Sequence, residues 1–143
     1  MSDSHIPPQK RQSRLVPRVK VWLEYRGRYA FGFGLAEILK AVERAGSFKE
    51  AASDLRKSYR YIWGRVKEAE KALGQQLVVT QVGGKDQKRS SLTPAARQLV
   101  VSFLGLRGRL THLLEQEFAR HFTWPTTDRR IQRNGKQIKP RSG

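Results

Sequence analysis

A mainly α fold with a small β component is predicted by three observations. Two short apolar-periodic segments follow one another, each preceded by a serine placed to cap a helix. A glycine-bearing stretch rich in cations comes next, between two β-prone runs. A long segment of heptad-like apolar spacing closes the series. That order is the outline of a winged helix-turn-helix with a long C-terminal dimerisation helix.

Each element has its own signal. Val19, Val21, Leu23 and Tyr25 alternate with Lys20, Trp22 and Glu24, the period-two pattern of a strand with one buried face. Tyr29, Phe31 and Phe33 alternate again after Gly27, so this run either pairs back as a hairpin or leads into the next element. Leu35, Ile38, Leu39, Val42 and Ala45 fall at helical spacing, and Gly46 stands where a left-handed residue ends a helix. Ser47-Phe48-Lys49-Glu50 has the form of a capping box, which opens a second helix bearing Phe48, Ala51, Ala52 and Leu55. Arg56 and Lys57 connect it to Ser58, the N-cap of a third helix with the stripe Ile62, Val66, Ala69 and Leu73, ended by Gly74. Leu77 to Val79 is β-prone, Val82 to Ser90 reads as a basic turn, and Ser91 and Leu92 read as the return strand. Thr93-Pro94 is an N-cap followed by proline at the first helical position, where a missing N–H costs nothing. Residues 94–122 then form one long helix whose seam is Leu99, Phe103, Leu106, Leu110 and Leu113, flanked by Val100 and Leu104 and extended by Leu114, Phe118 and Phe122. Gly105 and Gly108 inside it each cost about 1 kcal/mol relative to alanine, which makes them the place for a kink or break.

The 143 residues divide into a basic arm (1–18), the winged domain (19–122) and a basic tail (123–143). The arm holds Lys10, Arg11 and Arg14, the tail Arg129, Arg130, Arg133, Lys136, Lys139 and Arg141, and neither has an apolar period. With 29 Lys and Arg against 12 Asp and Glu, the formal charge is +17, more than the chain can neutralise internally, and such a field attracts polyanions. The absence of cysteine excludes disulfides, thiolate metal sites and thiol nucleophiles, and His5, His112 and His121 are too scattered for a metal or acid–base centre. Val79 and Asp86 stand where a phosphate loop needs glycine and a hydroxyl, so Gly84-Lys85 is no nucleotide site. Glu68, Glu70, Glu115 and Glu117 read as helix-surface charges. The sequence therefore predicts no enzyme, no cofactor and no metal. No apolar run of about 18 residues and no secretion signal is present, so the expectation is a soluble cytoplasmic chain without a membrane partner.

The third helix carries the most chemistry. At about 100° per residue, Arg60, Tyr61, Gly64, Lys67 and Lys71 lie opposite the apolar stripe, with Arg65 at the edge. Arginine can bind guanine O6 and N7 together, and tyrosine can reach a phosphate or a thymine methyl, so this face suits a DNA major groove. The candidate contacts are Lys57, Ser58, Tyr59, Arg60, Tyr61, Gly64 and Arg65 on the helix, with Lys85, Lys88 and Arg89 on the hairpin. Trp63 is expected mainly in the core, packed across the helix pair. Gly64 has two readings, close approach of the helix backbone to DNA or a tolerated surface glycine.

Gly46-Ser47, Ala51-Ala52, Ser58-Tyr59, Trp63, Gly83-Gly84-Lys85 and Leu92-Thr93, in this order and near these spacings, resemble the N-terminal DNA-binding domain of ModE-type molybdate-responsive regulators. They resemble the LysR-type winged helix more distantly. The likeness spans Val19 to Phe122 and implies a homodimeric transcription regulator, its long helices packed together and each recognition helix in the major groove of a partly palindromic site. It places Ser58 to Tyr61 at the start of that helix and Gly83 to Arg89 in the wing. ModE-type regulators carry oxyanion-binding domains after the long helix, whereas a short basic tail follows here, so the expectation is a stand-alone DNA-binding domain whose effector the sequence does not name. The alternatives are a basic RNA-binding or ribosome-associated protein and a protein-interaction adaptor built on the same fold.

Overall fold

In the computed structural model, residues 15–84 and 88–123 are described. Strand β1 (Trp22–Tyr25) pairs antiparallel with β2 (Arg28–Gly32). Arg26 and Gly27 join them, both with positive φ (53° and 77°), as a two-residue turn that matches strand twist requires. Of the two readings for the Tyr29 run, the hairpin is the one adopted. Phe33 leaves the alternation and opens helix α1 (Phe33–Ala45). Because β2 ends at Gly32, whose partner is Trp22, nothing remains for Val19 to Val21 to pair with, so β1 is shorter than the alternation implies.

Helix α1 ends at Gly46 (φ 80°), as its C-terminal glycine predicts. Helix α2 (Phe48–Leu55) begins where Ser47 Oγ accepts the Glu50 amide at 3.1 Å. Of the reciprocal capping pair, this serine half is the one that forms. α2 ends at Arg56 in the left-handed region (φ 57°), and Ser58 Oγ accepts the Tyr61 amide at 3.0 Å to open α3 (Tyr59–Leu73), which Gly74 closes. The pair α2 and α3 is the helix-turn-helix.

Strands β3 (Val78–Val82) and β4 (Lys88–Leu92) form the second two-stranded sheet, in register from Val78 opposite Leu92 to Val82 opposite Lys88. This hairpin is the wing. Thr93 Oγ1 accepts the Ala96 amide at 3.1 Å and starts α4 (Pro94–His121), which runs unbroken through Gly105 and Gly108.

The core lies in residues 20–110, where Leu35, Leu39 and Val42 of α1 meet Ile62 and Val66 of α3, Phe31 of β2, Leu77 and Phe103. Ala51 and Ala52 are buried and let α2 approach its neighbours closely. Phe31 and Phe103 meet edge to face with centroids 5.2 Å apart, a geometry worth about 0.5–1.5 kcal/mol beyond the area it buries. Val16 and Val19 belong to a second unit with residues 111–123, in which Phe118 and Phe122 stack at 4.8 Å.

Candidate nucleic-acid interface

The N-terminal half of α3 is built as a set of exposed cations and tyrosines on a capped helix. Tyr59 is held against α2 by an edge-to-face contact with Phe48, centroids 6.1 Å apart, while half of its surface stays open. Arg65 Nη1 donates to Tyr61 Oη at 3.0 Å, and Lys57 Nζ lies 5.5 Å from the Tyr61 ring, so this ring orders a cation on each side. Lys57, Ser58 and Arg60 are exposed. At Gly64 an added Cβ would meet nothing within 4 Å, so no neighbour in the chain requires its glycine. Arg60, Tyr61 and Gly64 share the outer face of the helix, with Tyr59 and Arg65 at its two edges.

Trp63 is not a core residue. It is 42% exposed, and Lys67 Nζ sits 5.5 Å from its ring. Its helical angle places it just outside the buried arc of Ile62, Val66 and Ala69, and on that side of the helix it is Tyr59, not the indole, that meets Phe48 of α2.

On the wing, Lys88 and Arg89 are exposed and Lys85 lies outside the described residues. Arg89 is also tied inward, because its guanidinium lies against Gly46, where an added Cβ would stand 3.3 Å from Nη2. That position puts a cation at the C-terminal, negative end of the α1 dipole. The Ser90 amide donates to the Gly46 carbonyl at 2.7 Å and fixes the same corner.

Two carboxylates position the wing. Glu70 Oε2 accepts the amides of Leu77 and Val78 at 2.8 and 3.1 Å, and Oε1 pairs with Lys67 at 3.2 Å. Glu70 is thus a half-buried anchor of β3 rather than a helix-surface charge. Glu43 accepts the Leu92 amide at 3.0 Å and Arg97 Nε at 2.9 Å, joining α1 to β4 and α4. The hydrogen bond from Arg97, helped by the Leu92 amide, holds the Glu43 carboxyl below its ordinary pKa. The one signal for Glu70 is an acid whose partners lie only seven and eight residues on. Glu43 has none, its partners being 49 and 54 residues away.

The predicted seam of α4 divides in two. Leu99 packs on the core and Phe103 is 2% exposed within it, so Phe103 is a core residue rather than part of an exposed seam. Leu106, Leu110 and Leu113 remain 36–50% exposed. A heptad pattern shows that a face is apolar, not what covers it, and here β2 covers its first part through Phe31.

With this geometry in place, residues 33–97 match the family model described as bacterial regulatory helix-turn-helix protein, lysR family. The matched segment contains the helix-turn-helix pair and the wing. The match begins where α1 begins and ends just inside α4, so it spans α1 to the first turn of α4 and leaves out the β1–β2 hairpin. Such a domain belongs to regulators rather than to enzymes. The chain is similar to ArgP from Mycobacterium tuberculosis (26% identity, TM-score 0.45, 59% of this chain and 30% of that one). It is similar to LysG from Corynebacterium glutamicum (22%, TM-score 0.46, 60% and 29%). A complex of the BenM DNA-binding domain with catB site 1 DNA is also similar (20%, TM-score 0.44, 62% and 94%). The chain spans about three tenths of the length of the first two. No curated protein sequence matches. Among the described residues, no helix is long and apolar enough to cross a membrane, and no group of three or more His, Asp or Glu is placed to hold a metal.

Proposed function

We propose that the protein is a sequence-specific double-stranded DNA-binding transcription regulator that acts as a homodimer, with α3 in the major groove. The observation that carries this reading is the outer face of α3, where Arg60 and the Tyr61–Arg65 pair surround the bare backbone at Gly64 within a LysR-type domain. Base contacts fall to Arg60 and Arg65, backbone contacts to Lys57, Ser58, Tyr59, Tyr61 and the wing cations Lys85, Lys88 and Arg89. Arg89 reaches phosphate from its seat at the end of α1, so it contributes a fixed charge, whereas Lys88 contributes a free one.

Leu106, Leu110 and Leu113, continuing the face that Leu99 starts, form the dimer contact, and a cytoplasmic location follows from the role. The finer likeness to ModE-type regulators rests on Ser58-Tyr59 and Trp63 after Gly46-Ser47 and Ala51-Ala52, and belongs to this proposal. The test is a pair of substitutions measured on DNA selected by the full chain from random sequence. Arg60→Ala is expected to cost about 1–3 kcal/mol on the preferred sequence and to relax discrimination at one base pair. Lys88→Ala is expected to weaken all duplexes alike. Uniform weakening by Arg60→Ala would remove α3 from base reading.

A further inference from the structure

A cleft of about 650 Å³ separates the β1–β2 hairpin from the C-terminal half of α3. The hairpin lines it with Arg26 and Arg28 beside Tyr25 and Tyr29, and α3 lines it with Arg65 and Lys71. Glu68 is the acid in this lining, so the surface carries an excess of positive charge. Both tyrosines are exposed, 43% and 50%, and the Arg26 guanidinium lies 5.3 Å from the Tyr25 ring centroid.

The cleft has a definite place around α3. The buried stripe of Ile62, Val66 and Ala69 faces the core. Glu70, on one flank of that stripe, bonds to the start of the wing, while Arg65 and Ala72, on the other flank, face the hairpin. The exposed face between these flanks, with Arg60, Gly64 and Lys67, therefore has a hairpin on each side.

A second observation concerns conformation. Among the described residues, the non-glycine positions with positive φ are Arg26 and Arg56, and each sits in an exposed turn beside α3. At the first position of such a hairpin turn asparagine or glycine is the unstrained choice. Arginine there trades backbone ease for a charge held at the hairpin tip.

We infer that the β1–β2 hairpin is a second wing, whose Arg26 and Arg28 grip the DNA phosphates on the side of the major groove opposite β3–β4. This rests on α3 lying in that groove. The hairpin precedes the segment that matches the LysR-type model, so the grip is an addition to that domain. Lys71 draws the phosphate chain toward the cleft, and Glu68 repels it from the cleft wall, which leaves the tip guanidinia as the grip.

The test uses the full chain carrying Arg26→Asn and Arg28→Thr, titrated with salt on a mixed-sequence duplex that extends past both ends of the site. Asparagine tolerates the left-handed turn, so the thermal midpoint is expected to hold or rise, which separates a missing grip from a damaged fold. The slope of log affinity against log salt should flatten by up to about 1.8, as two neutralised phosphates require. In hydroxyl-radical footprints, protection should disappear on the side opposite the one that Lys88→Ala exposes. An unchanged slope, or exposure on the same side as with Lys88→Ala, overturns the second wing. Arg60→Ala, measured in parallel, separates the two readings. If it alters sequence preference while the hairpin variant alters nothing, α3 reads DNA and the hairpin does not. If it alters nothing while the hairpin variant flattens the slope, the assignment of α3 to the groove is what fails.

Discussion

Glu43 shows how a single side chain sets the reach of the wing. Its carboxylate holds the Leu92 amide and the Arg97 side chain, and both bonds are stronger to the charged form. A carboxyl whose pKa is lower in the folded state adds stability above its ordinary value, near 4.5 here, and loses that contribution as pH falls through the lower, folded value. Glu43→Gln is therefore expected to lower stability at neutral pH by about 1 kcal/mol, a modest figure because the site is partly open to solvent. The variant should also lose less stability than the parent on acidification below about pH 4.5. Thermal midpoints of both chains across that range check it, and parallel curves would show that Glu43 does not couple to pH. Neither Glu43 nor the placement of Trp63 was legible in the sequence. A carboxylate bonded to residues 49 and 54 positions away leaves no local pattern. An indole at the border of a helical stripe is buried or exposed according to a neighbouring helix that periodicity does not describe.

At the level of elements, caps and periods were the readable part. Ser47, Ser58 and Thr93 cap the helices they were expected to cap, and Gly46 and Gly74 end the ones they follow, because these signals act within one turn. The extent of β1 was not readable, since it depends on where its partner stops. Gly64 gives the sharpest test of α3. An alanine there has open space around its Cβ and should stabilise the helix by about 1 kcal/mol. If the bare backbone exists to let DNA approach, Gly64→Ala raises the thermal midpoint and weakens duplex binding together. A gain in stability with unchanged affinity would make the glycine a tolerated surface residue.

For the whole molecule, the division of the α4 stripe separates folding from assembly. Phe103 and Leu99 belong to the core of the chain, and Leu106 and Leu110 lie beyond it on the same helix, where the proposed dimer contact would form. Leu106→Asp with Leu110→Asp is expected to give folded monomers, where Phe103→Asp would unfold the domain. Linking two recognition helices makes the second docking event intramolecular, so disrupting the dimer should weaken a palindromic site by roughly 10²–10⁴ while leaving a half-site almost unaffected. Sedimentation and binding to both sites measure it, and a parent chain that sediments as a monomer at micromolar concentration removes the dimer. Residues 1–14 of the arm and 124–143 of the tail lie outside the described residues, and the cations there should add affinity without preference. Deleting residues 1–17 and 126–143 should flatten the salt dependence by about 0.9 for each phosphate no longer neutralised and keep the selected sequence. Gly105 and Gly108 have a further consequence. They interrupt no hydrogen-bond ladder, yet each lowers helix propensity in open space, where α4 leaves the cover of the core. Backbone amides around them should exchange with solvent deuterium quickly in an isolated subunit and slowly once a partner covers the leucines. In the proposed dimer, the deuterium uptake of this stretch would therefore report how often the two subunits part.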